Sequence, residues 1–287
     1  MNKSWQSRTV EIDGVETHYI EAGQGETVVL VHGGGVSSSA ELNYGEAMES
    51  LSRNFHVIAP DMPGYGRTPG RAPQDYLPPD QSEFLIKFIR ALGRKVHLGG
   101  NSAAGYLIQY VGHEAPELVS SLILINSGSG VIVERRDDDG DGYDVRWAVP
   151  EKPPTREEVK EGLLAFYQNR DLVTDERVEL TYELSHKNFE FATKREATIG
   201  HTSADRNRRL QYRGKHISEW ADELTMPVLL TWSRENRACM PEQAFPMFNR
   251  LTRGEMHVLI DAGHHMQTEH PERWSAVVAD FIRSQGA

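Results

Sequence analysis

Only one cysteine, Cys239, stands among the 287 residues, so the chain can form no internal disulfide and no cysteine-based zinc site. That fits a reducing compartment. Positive charge is also in deficit: 31 Lys+Arg against 42 Asp+Glu give a net charge of -11. Such a balance repels phosphate backbones and excludes nucleic acid as a partner. No stretch approaches the roughly 20 apolar residues that span a bilayer, and the first ten residues lack the apolar centre of a signal peptide. The expectation is a soluble, cytoplasmic protein with no membrane partner. Repeats and low-complexity tracts are missing too, apart from an acidic cluster at 137–144.

What the chain does have is a core. Hydrophobic residues make up 38%, enough for one large domain or for a core with an inserted lid. Two short β-type runs, 9–12 and 15–20, flank Asp13-Gly14, a dipeptide suited to a two-residue hairpin turn. Unbroken apolar runs follow at 27–31, 55–59, 96–98, 122–125, 228–232 and 256–260, the pattern of strands buried on both faces of a parallel sheet. Helical patterns lie between them. Over 82–92 the residues Phe84, Leu85, Phe88 and Ile89 share one face, and 271–282 opens on Pro271.

Alternation of strand and helix predicts an α/β fold with a mostly parallel central sheet. From about 128 to 220 the rhythm breaks into a charged, helix-rich segment with no strand-like run. The expected organisation is a core formed by 1–130 and 218–287, with a helical cap inserted at 131–217.

Chemistry concentrates in three places. In Gly99-Gly100-Asn101-Ser102-Ala103-Ala104-Gly105 a strand turns sharply into a helix, which would expose Ser102 as a nucleophile on a strained backbone. Ala104 stands where a G-x-S-x-G pattern has its last glycine, and a plain glycine-rich turn is the competing reading. His32-Gly33-Gly34-Gly35 also leaves a buried strand. Its N–H groups, paired with that of Ala103, would form an oxyanion hole, although a flexible loop would look the same. Asp261-Ala262-Gly263-His264-His265 follows the last strand, where a histidine can reach Ser102 as general base. His264 is preferred over His265 because it directly follows Gly263.

Together with Asp61-Met62-Pro63-Gly64-Tyr65-Gly66 and Trp232-Ser233-Arg234-Glu235-Asn236-Arg237, these motifs resemble the α/β-hydrolase superfamily. Within it the sequence is most similar to the meta-cleavage-product hydrolases, which break carbon-carbon bonds in vinylogous diketone acids. The likeness covers nearly the whole chain, including Val173-Thr174-Asp175-Glu176 and Thr181-Tyr182-Glu183. By this resemblance Ser102 is the nucleophile, His264 the base, and the backbone of Gly34 and Ala103 the oxyanion hole. Asn43 and Asn101 fall where the family keeps polar groups near substrate.

Three departures bear on the chemistry that the resemblance implies. Asn236 stands at the family's triad aspartate, Thr181 at the arginine that pairs with the substrate carboxylate, and His265 at a tryptophan. An amide can orient the imidazole but brings no charge, a change that costs a serine protease roughly 10⁴ in turnover. Three readings stay open: Asn236 orients His264, Glu235 has taken the acid role, or a full triad is not needed. Asn236 is preferred because it matches without a gap. Without a guanidinium at 181 the usual keto acid loses its anchor.

Asp137, Asp139, Asp141, Gly142 and Asp144 have the ligand spacing of a calcium loop, but Ala148 holds the place of the closing glutamate. A solvated hinge into the cap is the plainer reading, and no metal is expected. The reading that follows is a cofactor-free serine-type hydrolase of a small carbonyl substrate: an ester, lactone or activated ketone. Its rivals are a true carbon-carbon hydrolase or lyase using His264 for proton transfer, and a ligand-binding, receptor-like protein with little turnover. The assembly state is left open, a homodimer included.

Overall fold

The structure is a computed structural model describing residues 4–71, 77–131, 151–199 and 208–285. Its centre is an eight-stranded sheet in the order β1-β2-β4-β3-β5-β6-β9-β10. The chain opens with an antiparallel hairpin of β1 (Gln6–Ile12) and β2 (Val15–Ala22). Its turn holds Asp13 and Gly14 at φ 52° and 75°, the double left-handed geometry that matches the twist of paired strands. Strand β2 pairs antiparallel with β4 (His56–Pro60), and every later pairing in the sheet is parallel.

Strands β3 (Thr27–Val31), β5 (Val96–Asn101) and β9 (Val228–Ser233) are buried throughout, and β6 (Val119–Ile125) nearly so. Apolar residues on both faces demand cover on both, and helices supply it. Helix α1 (Ala40–Leu51) packs with the C-terminal helix Pro271–Ser284 over one face, where Tyr44, Met48 and Trp274 join Val28, Leu30 and Ile123. Helices α2 (Pro78–Ala91) and α3 (Ala104–Glu114) cover the other face. There Phe84, Leu85, Phe88 and Ile89 are buried, each contributing about 1.5–3 kcal/mol.

The run at 256–260 departs from expectation. It forms β10 (Gly254–Leu259), which is the edge of the sheet, and Val258 and Ile260 are 41% and 47% exposed rather than buried on two faces. An edge strand has a neighbour on one side only, so its position in the strand order overrides the apolar pattern.

The segment after β6 begins with the short helix α4 (Gly128–Val131) and continues with α5 (Arg156–Phe166), α6 (Asp175–Lys187) and α7 (Phe189–Ile199). Thr155 and Glu158 cap α5 reciprocally, and Thr174 caps α6 through the N–H of Arg177 at 3.2 Å, each satisfying donors that a helix start leaves open. This stretch is not strand-free: Gln211–Tyr212 (β7) pairs with Lys215–His216 (β8) in a small hairpin, too short to leave an apolar run in the sequence. The acidic residues 137–144, with the proposed calcium spacing and Ala148, lie outside the described residues. Two short helices, α8 (Phe245–Phe248) and α9 (Met266–Glu269), precede the C-terminal helix, α10. Among the described residues no helix is long and apolar enough to cross a membrane.

Candidate active site

β5 ends at Asn101 and α3 begins at Ala104, so two residues make the whole turn. Ser102 adopts φ 56°, a left-handed conformation that costs a non-glycine residue about 1–3 kcal/mol. Neighbours hold it there. Its N–H donates to Ile125 O at 3.0 Å, and its carbonyl accepts from Ser127 Oγ at 2.6 Å and Ser129 Oγ at 3.0 Å. Gly100 lets the helix come close, because a Cβ there would sit 2.9 Å from the Ala104 carbonyl oxygen. The Ser102 side chain is left partly exposed.

The glycine loop lies against this turn. A Cβ on Gly33 would meet that of Ser102 at 3.2 Å, and one on Gly34 would meet that of Ala103 at 3.0 Å. Two side chains fix the loop. Burial lowers the pKa of His32, which stays neutral; its Nε2 accepts from Met62 N at 3.0 Å, so Nδ1 carries the proton donated to Gly33 O at 2.7 Å. Buried Arg195, from α7, donates to Gly34 O at 2.9 Å and to the Tyr65 hydroxyl. Asn43 and Asn101 form a buried pair, Nδ2 of the first donating to Oδ1 of the second at 3.0 Å. Asn101 is anchored in turn to Ile125 O at 3.0 Å, and the Asn43 carbonyl accepts from Gln267 Nε2 and Thr268 Oγ1.

His264 and Asn236 come from loops after the neighbouring strands β10 and β9, and both are buried. His264 Nδ1 lies 3.1 Å from Asn236 Oδ1. The Ala238 N–H also donates to that oxygen at 3.1 Å, which fixes the amide so that oxygen, not nitrogen, faces the ring. Nδ1 must therefore be the protonated nitrogen, and Nε2 carries the lone pair. Glu235 turns elsewhere: its Oε2 receives the Ala262 N–H at 3.4 Å.

Two residues that sequence reading did not single out hold His264 in place. Asn126, at φ 44° just past β6, donates through Nδ2 to His264 O at 3.0 Å and Ser233 Oγ at 2.9 Å, and accepts from Ser233 N at 2.8 Å. It ties three strand ends together. Buried Glu269 accepts from Gly263 N at 2.7 Å and from Gln168 N and Asn169 N, both at 2.8 Å. With His264 N donating to Phe166 O at 2.9 Å, it joins the histidine loop to the end of α5. Burial raises the pKa of Glu269 against the pull of these donors. No motif marks either residue, because each works through backbone groups distant in the chain.

Thr181 lies on α6, 6% exposed, with a buried Oγ1 that has no hydrogen-bond partner. One turn earlier on the same face, Arg177 donates to Leu42 O at 3.3 Å, to Tyr167 Oη at 3.0 Å and to Glu46 on α1. The Arg177 guanidinium is thus already engaged. His265 stacks on Tyr167 with ring centroids 5.3 Å apart, and its Nδ1 is buried without a partner. Burial, with His264 and Arg177 adding to it, holds its pKa well below the ordinary histidine value.

A family model described as the alpha/beta hydrolase family matches residues 28–277. The chain belongs to this family. Among its curated relatives, the 2-hydroxy-6-oxo-2,4-heptadienoate hydrolase of Pseudomonas putida is 30% identical over 97% of this chain and 96% of its own. The 2-hydroxymuconate semialdehyde hydrolase of a Pseudomonas species is 27% identical over 98% and 95%. Among solved structures, the meta-cleavage product hydrolase of Pseudomonas fluorescens IP01 aligns with a TM-score of 0.81 at 27% identity, over 96% of this chain and 97% of that one. The chain is thus an enzyme of the α/β-hydrolase class whose relatives include meta-cleavage-product hydrolases.

Proposed function

We propose that this α/β hydrolase is a cofactor-free serine-type enzyme that cleaves a small, neutral carbonyl substrate: an ester, lactone or activated ketone. The observation that carries the reading is the His264–Asn236 contact at 3.1 Å with Nδ1 protonated, since it leaves Nε2 as a base. Ser102 Oγ, on its strained turn, attacks the carbonyl carbon as His264 Nε2 takes its proton. The N–H groups of Gly34 and Ala103 receive the oxyanion, and the protonated histidine then returns its proton to the leaving group. Water releases the acyl group by the same steps in reverse order. Asn43 and Asn101 present a polar edge to the substrate, and α5–α7 act as the cap.

The named relatives act on hydroxy-oxo-dienoates and a muconate semialdehyde, substrates of the carbon-carbon hydrolase reading. Thr181 favours a different substrate here. It offers a hydroxyl where an acid needs a cation, and Arg177 is engaged with Glu46. Thr181 and His265 suit a neutral group able to accept or donate a hydrogen bond.

A fluorophosphonate probe followed by intact-mass and peptide analysis tests the nucleophile, with 4-nitrophenyl acetate turnover measured alongside. One adduct at Ser102 and loss of turnover in Ser102→Ala are expected. Turnover that survives Ser102→Ala would overturn the covalent mechanism.

A further inference from the structure

The amide of Asn236 has one polar atom unused. Oδ1 serves both His264 and the Ala238 N–H, whereas Nδ2 is buried with no hydrogen-bond partner in a residue only 1% exposed. The amide cannot flip to relieve this, because the Ala238 N–H would then face another donor. A buried donor of this kind calls for an acceptor.

Beside the His264–Asn236 pair lies a cavity of about 190 Å³, walled by both residues, by Arg170 and Arg237, by Glu235 and by the end of α5. Ser102, Asn43 and Thr181 take no part in the wall, which meets the proposed catalytic residues at His264 and Asn236. Its charges are unbalanced. Neither Arg170 nor Arg237 forms an ion pair among the described residues, and the wall holds these two cationic residues against one carboxylate residue, Glu235, which is partly engaged by Ala262 N.

We propose that this cavity is an anion site that takes a small monovalent anion of the size of chloride or formate, held by Asn236 Nδ2 and the guanidiniums of Arg170 and Arg237. The bound anion completes the hydrogen bonding of Asn236 and keeps its oxygen turned toward His264. It also places beside the imidazole the negative charge that an aspartate would carry as part of the chain. Binding stands on geometry alone; the effect on catalysis rests on His264 being the base.

The test has two readouts in a bulky sulfonate buffer at constant ionic strength. The first is the ³⁵Cl line width of a chloride solution, with formate as competitor. Wild type should broaden the line and formate should reverse it, whereas Arg170→Gln/Arg237→Gln should lose that excess broadening. Both side chains are exposed, so the double variant should keep its melting temperature and its turnover in buffer without small anions. The second readout is 4-nitrophenyl acetate turnover, which formate should raise saturably by roughly threefold to tenfold in wild type and not in the double variant. Equal broadening by both proteins would overturn the site. Broadening lost in the double variant, with turnover indifferent to formate, would overturn the role of the charge. An enzyme inert toward the ester would count against the proposed reaction, and the line width would still decide binding.

Discussion

Asn236→Asp puts a carboxylate 3.1 Å from His264 Nδ1 with almost no change of shape. Oδ1 keeps the Ala238 N–H, and the second oxygen replaces a donor that has no partner, so the variant loses no hydrogen bond. In serine proteases the reverse change costs roughly 10⁴, much of it through the wrong histidine tautomer. Here the tautomer is already correct, because the Ala238 N–H fixes the amide, and only the missing charge remains to be supplied. An opposite charge at this distance shifts a pKa by about 1–3 units, or roughly 1.4–4 kcal/mol. In buffer without small anions, Asn236→Asp is thus expected to raise turnover by about tenfold to a thousandfold at pH values above the shifted titration of His264.

The sign depends on pH. A raised His264 pKa keeps the base protonated longer, so the acid limb of kcat/KM should move upward by the same amount, and the gain should vanish below it. Linkage has the same sign: the added stability should be fully present below the unfolded histidine pKa of about 6.5 and lost as pH rises through the folded value. Ester turnover against pH, with the His264 ring protons followed by NMR, measures both. A titration that moves without any gain in turnover would refute the view that charge at position 236 limits the enzyme. One that does not move would refute the pairing itself.

Glu269→Gln leaves at least one of three backbone N–H groups without an acceptor, so the melting temperature should fall by roughly 5 °C in calorimetry; an unchanged value would mean that the strap between α5 and the histidine loop is not formed. Because burial raises the Glu269 pKa, its contribution is present below the unfolded value of about 4.5 and lost as pH rises through the folded value, and that slope should be missing from the Gln variant. Thr181→Arg should shift the kcat/KM ratio of a matched neutral and carboxylated ester pair toward the carboxylate, and an unmoved ratio would show that position 181 does not face the substrate. Glu235→Gln should leave turnover nearly unchanged while Asn236→Ala lowers it; the opposite pattern would put the acid one residue earlier.

Much of the architecture was legible because the features that specify it are local. The hairpin at Asp13-Gly14 needs two residues with left-handed backbone, and the sequence puts a suitable pair between two β-type runs. Buried strands announce themselves when both faces are apolar, as in 27–31 and 228–232. The turn at Ser102 was legible for the same reason, since a strand, small residues and an apolar helix follow one another in immediate succession. The edge strand β10 shows the limit of that logic. Its apolar run looks like the others, and only its place at the end of the strand order exposes it.

In the candidate site, the residue types can be read from the chain alone: a serine between a strand and a helix, a glycine loop, a histidine after the last strand, and the amide of Asn236 and hydroxyl of Thr181. Tertiary structure alone decided how they meet. Asn236 rather than Glu235 faces His264 because the loops after two adjacent parallel strands converge, and the Ala238 N–H selects the oxygen. Asn126 and Glu269 left no trace in the sequence because they bind backbone groups 138 and 101 residues away. Backbone N–H and C=O groups are the same at every position, so a side chain that seeks them carries no pattern for sequence to display. Only folding brings the two together.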